Sequence, residues 1–414
     1  MNDSLERQCR SCGAPLHHSF ADLGLSPVSN AFVEPANAAH GEMFYPLHAM
    51  VCGQCWLVQL GDATRADLHF HDNYVYFSSF SSSWLAHARA YAGQMTARLG
   101  LGGASRVMEI ASNDGYLLQY FQQAGIPCVG IEPSANTAAA ARAKGIDTRT
   151  AFFNRATAAA LAAQGERVDL LLGNNVLAHV PDLNDFVGAM PAVLKPEAVV
   201  TLEFPHLLSL IEGQQFDTIY HEHYSYLSLL ALMPVFARAG LRVFDVEHLP
   251  THGGSLRVYA CLAGAAHPQT AAVQACLRLE SEAGLDRLDT YARFGAGVRA
   301  TRRAMLSFMI AAKDQGKRIA AYGAAAKGNT LLNYCGIGAD FIDYVVDRNP
   351  AKQGRLLPGS RIPVRAPGAV YETRPDYLLI LPWNIKDEVM AQMAGIRDWG
   401  GQFLLANPNI HLVE

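Results

Sequence analysis

The 414-residue sequence lacks several features that would each indicate a class of protein. It has no apolar run of about 18 residues, the length that a membrane-spanning helix needs. Its first residues, MNDSLERQCRSCG, show no apolar signal-peptide stretch, so we expect a cytoplasmic location. Only 17% of the residues are charged, and the net charge of −4 gives no basic surface. We therefore expect neither nucleic acid nor a membrane as a partner.

The sequence also lacks the G-x-G-x-x-G turn that binds the pyrophosphate of dinucleotides. This absence argues against NAD as a cofactor. Half of the residues are hydrophobic, which is enough to form the cores of two or three domains.

Cysteines are few, but four of them form two Cys-x-x-Cys pairs near the N-terminus. This spacing predicts a tetrahedral zinc site of four thiolates, Cys9, Cys12, Cys52 and Cys55. Residues 1–75 show little helical or strand periodicity, so we expect an irregular domain that depends on structural zinc for its folding. Other potential ligands are His17, His18, His48 and Cys128. We expect buried structural thiols at Cys128, Cys261, Cys276 and Cys335.

The middle of the chain alternates between strand and helix patterns, which predicts a parallel, doubly wound sheet. Helices are predicted over 84–99, 116–125 and 135–145, and strands over 106–111, 127–134 and 168–175. Two further strands, over 241–249 and 255–260, would form an antiparallel edge of this sheet.

A second α/β pattern follows a long helical stretch over 267–315, which we expect to break near Gly284 and again near Gly295 and Gly297. Strands are predicted over 318–324, 341–350 and 376–384. The predicted domains are therefore 1–75, 76–262 and 263–414.

The first ligand motif is VMEIASNDGYLL, in which a strand leads through a tight turn into a helix. Asn113 and Asp114 stand where dinucleotide folds carry glycine, and Asp114 would repel a pyrophosphate. Acidic side chains suit a cationic ligand such as S-adenosylmethionine, whose carboxylate could meet backbone N–H groups. The candidate cofactor residues of this motif are Glu109, Ala111, Asn113, Asp114, Gly115, Tyr116 and Leu117.

Two later motifs complete the predicted cofactor site. Glu132, followed by Pro133, ends the second strand at the position where these folds bind ribose hydroxyls. Asn174 and Asn175 follow the next strand at its carboxyl end, where open α/β sheets bind ligands, and His179 lies in the same motif. We therefore favour S-adenosylmethionine over NAD.

The segment FDTIYHEHYSYLS (216–228) concentrates histidine, glutamate and tyrosine. Histidine is the usual general base near neutral pH, an adjacent carboxylate can fix its tautomer, and tyrosine can stabilise an oxyanion. The spacing differs from H-E-x-x-H, so it does not favour a metal. The alternative is a structural cluster. The residues concerned are Tyr220, His221, Glu222, His223, Tyr224 and Tyr226.

Two further segments carry candidate substrate residues. NYVYFSSFSSSW (73–84) offers hydroxyl groups to a sugar or cofactor, although a polar linker would have a similar composition. YGAAAKGNTLLNY (322–334) begins a helix whose positive end would attract phosphate, although this domain could also be a scaffold only. The candidates are Tyr74, Tyr76, Ser78, Ser79, Ser82, Lys327, Asn329 and, at a later strand end, Asp347.

Over essentially its whole length, the chain resembles the zinc-containing, S-adenosylmethionine-dependent C-methyltransferases of deoxysugar pathways. The resemblance rests on the paired Cys-x-x-Cys motifs, EIASNDGYLL, GIEPS, the Tyr-His-Glu-His segment, GGSLRVY and YGAAAKGNTLLNY. It implies a zinc-binding N-terminal domain, a central Rossmann-like class I methyltransferase domain and a C-terminal Rossmann-like α/β domain. It also implies methylation at C-3′ of a nucleotide-linked 4-keto-6-deoxyhexose, with dTDP as the expected carrier.

The resemblance further implies roles for individual residues. His223 would be the base, with Glu222, Tyr220 and either Tyr74 or Tyr76 assisting, while His221 and Tyr224 would contact the substrate. Zinc would be structural, and we expect a monomer or a weak dimer. The alternative functions are methylation of oxygen or nitrogen on another small metabolite, and non-catalytic binding through a zinc ribbon.

Overall fold

The N-terminal region contains more regular structure than its sequence predicts. A computed structural model describes residues 7–61 and 77–413, and the first range contributes three strands to a four-stranded antiparallel sheet in the order β1-β2-β3-β9. Shifts of register in β1 disturb the alternation of buried and exposed residues, which explains why the pattern was not recognisable. The strands are β1 (His18–Ser26), β2 (Tyr45–Val51), β3 (Val58–Leu60) and β9 (Ser225–Tyr226).

The central domain contains the predicted doubly wound sheet, with seven strands in the order β10-β11-β8-β7-β4-β5-β6. The strands from β8 to β6 are parallel, and β10 and β11 form the predicted antiparallel edge. They are β4 (Val107–Ile110), β5 (Cys128–Glu132), β6 (Thr148–Thr150), β7 (Val168–Asn174), β8 (Leu194–Pro205), β10 (Leu241–Leu249) and β11 (Ser255–Leu262).

The first helix of this domain has the ends that its sequence indicates. The Ser81 side chain accepts a hydrogen bond from the Trp84 N–H group, and Gly100 ends the helix in the left-handed conformation. The helices are α1 (Ser82–Leu99), α2 (Leu118–Gln123), α3 (Ala135–Ala143), α4 (Arg155–Ala163), α5 (Leu183–Ala189), α6 (Leu207–Glu212) and α7 (Leu229–Arg238).

Two helices, α8 (Ala271–Glu282) and α9 (Leu288–Asp314), lead into the C-terminal domain. The predicted break at Gly284 is present, but the break at Gly295 and Gly297 is wrong because α9 continues through both positions. A Cβ atom on Gly295 would lie 2.8 Å from the Phe20 carbonyl oxygen. This glycine therefore allows close packing against β1 and does not end the helix.

The C-terminal domain has a six-stranded sheet in the order β14-β13-β12-β15-β16-β17, which is parallel except for its last strand. The strand predicted over 341–350 is only two residues long. The strands are β12 (Ile319–Tyr322), β13 (Val345–Val346), β14 (Val364–Arg365), β15 (Tyr377–Ile380), β16 (Gln402–Leu405) and β17 (His411–Val413). The helices are α10 (Ala326–Cys335), α11 (Ala369–Thr373) and α12 (Lys386–Gln392). Among the described residues, no helix combines the length and apolarity needed to span a bilayer.

Candidate active site and metal centre

The four N-terminal cysteines converge as predicted. Their sulfur atoms lie within 4.8 Å of one another, and the Cys9–Cys55 and Cys12–Cys52 Sγ pairs are each 3.5 Å apart. Tetrahedral zinc with Zn–S bonds of about 2.3 Å requires a similar spacing, so the residues fit the metal. Within the described ranges, none of the alternative ligands joins this cluster, and His48 instead lies 2.8 Å from the Ser19 hydroxyl. Four thiolates leave no open coordination position, so the zinc is structural.

A cavity of about 750 Å³ lies where the domains meet. The central sheet contributes the carboxyl ends of its strands, the N-terminal domain contributes Asn30, and the C-terminal domain contributes the start of α10. The predicted residues that line it are Ser78, Ala111, Asn113, Tyr116, Glu132, Pro133, Asn174, Asn175, His179, Tyr220, Glu222, His223 and Lys327. The cavity therefore joins the predicted cofactor motifs to the predicted catalytic segment.

The turn after β4 is strained in the way that ligand-binding turns often are. Ala111 and Asn113 have φ angles of 55° and 50°, and Asn175 and His252 on the same cavity have 55° and 54°. Such left-handed conformations cost free energy in non-glycine residues and cluster at functional sites. At Gly115 a Cβ atom would lie 2.4 Å from Ile146 Cδ1, so this glycine is needed for close packing.

Glu132 holds the cofactor turn in place from β5. Its carboxylate accepts hydrogen bonds from the N–H groups of Asn113 and Ser134, both at 2.8 Å. Burial raises the pKa of Glu132, and these two N–H groups oppose that shift. Glu132 lines the cavity, so it can also meet a ribose hydroxyl as predicted.

Asn174 supplies the strongest local indication of a ligand. It is 7% exposed and lines the cavity, yet its amide oxygen and nitrogen have no hydrogen-bond partner among the described residues. Buried amide groups are almost always hydrogen-bonded, so this side chain fits a polar ligand such as S-adenosylmethionine. The donor and acceptor groups of the site therefore suit the cofactor.

Tyr220 and His223, which line the same cavity, form a hydrogen-bonded pair. His223 Nδ1 lies 2.8 Å from the Thr218 carbonyl oxygen, so Nδ1 carries the proton and donates it. Nε2 is then an acceptor for the Tyr220 hydroxyl, 2.7 Å away. Burial, assisted by the nearby charges of His179 and Lys327, lowers the pKa of His223 well below its usual value. The imidazole is therefore neutral and able to accept a proton.

Glu222 does not fix this tautomer, contrary to expectation, because the Thr218 carbonyl oxygen does. The Glu222 carboxylate accepts a hydrogen bond from Asn30 at 2.6 Å, and burial raises its pKa to about 7. His179, predicted in the cofactor site, lies beside His223, and the two ring centroids are 4.6 Å apart. Its Nδ1 donates to the Glu222 carbonyl oxygen at 2.8 Å, and burial lowers its pKa to about 4.

Several predicted ligand residues have other partners and lie outside the cavity lining. Asp114, expected to face the cofactor, accepts hydrogen bonds from Ser79 and Lys144. Asn329 donates to the Ser29 carbonyl oxygen, and Asp347 accepts from the Ala324 N–H group and so stabilises the turn before α10. The remaining ones are buried Glu109, Gly115, Leu117, His221 and Tyr224, and exposed Ser82. Tyr74 and Tyr76 lie outside the described residues.

Sequence reasoning missed other residues of the cavity. His252 lies 2.8 Å from the Asn175 side chain, and burial lowers its pKa to about 4. His252 lies between the two predicted edge strands, and none of the candidate motifs included it. At Gly253 a Cβ atom would lie 2.3 Å from the Trp383 ring, so this glycine lets the loop approach the C-terminal domain. Trp84 and Lys352 also line the cavity without a motif that would have identified them.

Family comparisons cover almost the entire chain. Residues 84–246 match a methyltransferase domain, residues 250–408 match a C-methyltransferase C-terminal domain, and residues 9–70 match a zinc binding domain. These three segments correspond closely to the three structural regions described above.

One relative matches the chain over almost its whole length, and other proteins match a part of it. The chain is 34% identical to C-methyltransferase NovU from Streptomyces niveus over 407 residues, 98% of this chain and 97% of the relative. A ubiquinone biosynthesis O-methyltransferase from Rhodopseudomonas palustris is 32% identical over 97 residues, 23% of this chain and 38% of that protein. Magnesium protoporphyrin IX methyltransferase from Synechocystis, solved with bound SAH, covers 42% of this chain and 82% of its own, with 15% identity and a TM-score of 0.34.

Proposed function

The chain belongs to the S-adenosylmethionine-dependent C-methyltransferase family, and we propose that it methylates C-3′ of a nucleotide-linked 4-keto-6-deoxyhexose. The name of the full-length relative specifies methylation at carbon and no more. The sugar, the position and the carrier are inferred from the motif resemblance. The observation that carries the proposal is the neutral His223 imidazole, hydrogen-bonded to Tyr220 within the cavity that the cofactor motifs also line.

Methyl transfer to carbon requires a carbon nucleophile, and His223 provides the base that generates it. A ketone at C-4′ acidifies the adjacent C-3′ proton, which His223 Nε2 removes. In the structure the Tyr220 hydroxyl donates to that nitrogen. When the substrate binds, this hydroxyl turns to the ketone oxygen, which leaves Nε2 available and stabilises the enolate.

The cofactor supplies an electrophilic methyl group on a sulfonium ion. The turn after β4, Glu132 and Asn174 would hold the cofactor, and the segment from Thr218 to His223, which lines the same cavity, would hold the sugar. Fixing both partners at about 3–3.5 Å removes much of the entropic cost of their encounter.

The carrier is expected to be dTDP, with the C-terminal domain closing over the nucleotide sugar. A thermal-shift panel of dTDP, UDP and GDP tests this carrier, because a ligand that binds only the folded state raises the Tm. Greater stabilisation by dTDP supports it, whereas greater stabilisation by UDP or GDP contradicts it.

A product analysis tests the reaction itself. The enzyme is incubated with ¹³C-methyl-labelled S-adenosylmethionine and a dTDP-4-keto-6-deoxyhexose, and the product is examined by NMR. A labelled methyl group on C-3′, coupled to ring carbons, is the expected result. A labelled methyl group on oxygen or nitrogen, or no transfer to any nucleotide-linked ketosugar, would refute the proposal.

A further inference from the structure

We propose that Lys327, at the start of α10 in the C-terminal domain, is a further catalytic residue that stabilises the oxyanion formed when the substrate carbon loses its proton. The inference rests on the proposed function, because only an enolate-forming substrate would present this charge. It replaces the phosphate-binding role that the helix position suggested for this lysine.

The first argument is the position of the ammonium group. Lys327 lines the same cavity as Tyr220, His223 and His252, although it comes from a different domain. Its charge is close enough to lower the pKa values of both histidines. The C-terminal domain thus brings a cation into the cavity that Tyr220 and His223 also line.

The second argument is the way in which the ammonium group is held. Nζ donates to the Asn384 amide oxygen at 3.0 Å and lies 4.5 Å from the centre of the Trp383 ring. An ammonium group has three N–H donors, and within the described ranges Asn384 accepts only one of them. The Trp383 ring holds the cation in place by its face without using a donor. Donors therefore remain for a ligand oxygen.

The third argument distinguishes an oxyanion from a diphosphate. Asp217 is fully buried beside Lys327, and its carboxylate accepts a hydrogen bond from Trp383 Nε1 at 2.7 Å. Burial raises the pKa of Asp217 to about 6, against the attraction of Lys327. A diphosphate on Lys327 would approach this carboxylate and be repelled. A single oxygen that becomes negative only during the reaction fits a site that holds one ammonium group, Lys327, and one carboxylate, Asp217.

The lysine also has a useful titration range. Burial lowers the pKa of Lys327 to about 8, and Asp217 opposes the shift. The titratable groups that face it are Asp217 on the 216–218 turn, His223 on the following segment and His252 on the loop between β10 and β11. Both histidines are neutral near pH 8, so a loss of activity there that is absent from Lys327→Arg reports on the lysine.

The test compares Lys327→Met, Lys327→Arg and a matched control, Lys317→Met, which removes an exposed lysine from the same domain. The readout is the rate of solvent deuterium entry at C-3′ of a dTDP-4-keto-6-deoxyhexose in the presence of S-adenosylhomocysteine. Affinities for dTDP and S-adenosylhomocysteine are measured by calorimetry, and the Tm confirms folding. The wild type and each variant are compared from pH 6.5 to 9.5.

We expect Lys327→Met to lower the exchange rate by about 10²–10³, the usual loss for one oxyanion donor, while both affinities change less than twofold. The wild-type rate should fall above pH 8, and Lys327→Arg should retain part of the activity without this fall, because arginine stays charged. Unchanged exchange in Lys327→Met, or weaker dTDP binding with normal exchange at saturation, would overturn the assignment. Absence of exchange in the wild type would refute the proposed function and this inference together, which separates that outcome from a failure of Lys327 alone.

Discussion

The hydroxyl group of Tyr220 lies 2.7 Å from Nε2 of His223, while Nδ1 of the same ring donates to a main-chain carbonyl oxygen. The contact of Nδ1 fixes the tautomer and leaves Nε2 as the acceptor for the Tyr220 hydroxyl. Under the proposed mechanism, this hydroxyl would then stabilise the enolate.

Removing this hydroxyl should change both the rate and its pH dependence. In Tyr220→Phe the neutral imidazole loses a hydrogen-bond donor, so the pKa of His223 should rise. The acid limb of kcat/KM should therefore move to higher pH, and kcat should fall about 10²-fold as an oxyanion donor is lost. An unchanged profile from pH 5 to 8 would show that Tyr220 contacts neither the base nor the substrate oxygen.

Acidification should destabilise the fold through the site histidines. Burial lowers the pKa of His223, and it lowers the pKa values of His179 and His252 to about 4. In the unfolded chain a histidine takes up a proton near pH 6.5, so the stabilising contribution of the neutral rings is complete above that value and declines as the pH falls toward 4. Denaturant unfolding at pH 7, 6 and 5 measures the free energy of unfolding. In His179→Gln this free energy should change less steeply with pH than in the wild type. Equal slopes in the two proteins would contradict these pKa shifts.

A buried ion pair beside the cavity should be important for stability. Arg257 is 2% exposed and lies 2.8 Å from Glu203, which is fully buried. Arg257→Met leaves that carboxylate buried without its main counter-charge, which should cost about 3–5 kcal/mol in the free energy of unfolding. Arg293→Met is the matched control, since its pair with Asp289 is largely exposed and should matter little. Similar small losses in both variants would contradict the importance of the buried pair.

Zinc removal should affect the fold of the N-terminal domain. Cys52→Ser deletes one of the four thiolates, so the purified protein should lose zinc by elemental analysis and unfold at a lower Tm. Cys335→Ser changes a buried cysteine in the C-terminal domain and should retain the metal. Zinc retention with an unchanged Tm in Cys52→Ser would contradict a structural four-thiolate site.

The order of the domains and the central sheet could be predicted from sequence because their signals are local. The strand, turn and helix around Glu109 follow directly from short patterns, and the Cys-x-x-Cys spacing identified the metal ligands. The pairing of β9 with β3 could not be predicted, because it joins residues more than 160 positions apart and involves a strand of two residues.

Within the site, the direction in which each side chain points was the feature that the sequence could not predict. Asp114 occupies the predicted turn, but its carboxylate pairs with Lys144, which directly follows α3. This contact depends on how α3 packs, so the sequence did not predict it. His252 was missed for a related reason. Its loop has no recognised motif, and only the folded chain brings it next to Asn175.

Deuterium exchange at C-3′ in His223→Asn tests the central claim most directly. The substrate is incubated in D₂O with S-adenosylhomocysteine, so that no methyl group can be transferred, and binding of S-adenosylhomocysteine is measured in parallel. Our account predicts exchange in the wild type and an exchange rate about 10²–10⁴-fold lower in the variant. The variant's affinity for S-adenosylhomocysteine should stay within twofold of the wild-type value. Exchange at the wild-type rate in His223→Asn would contradict the assignment of His223 as the base.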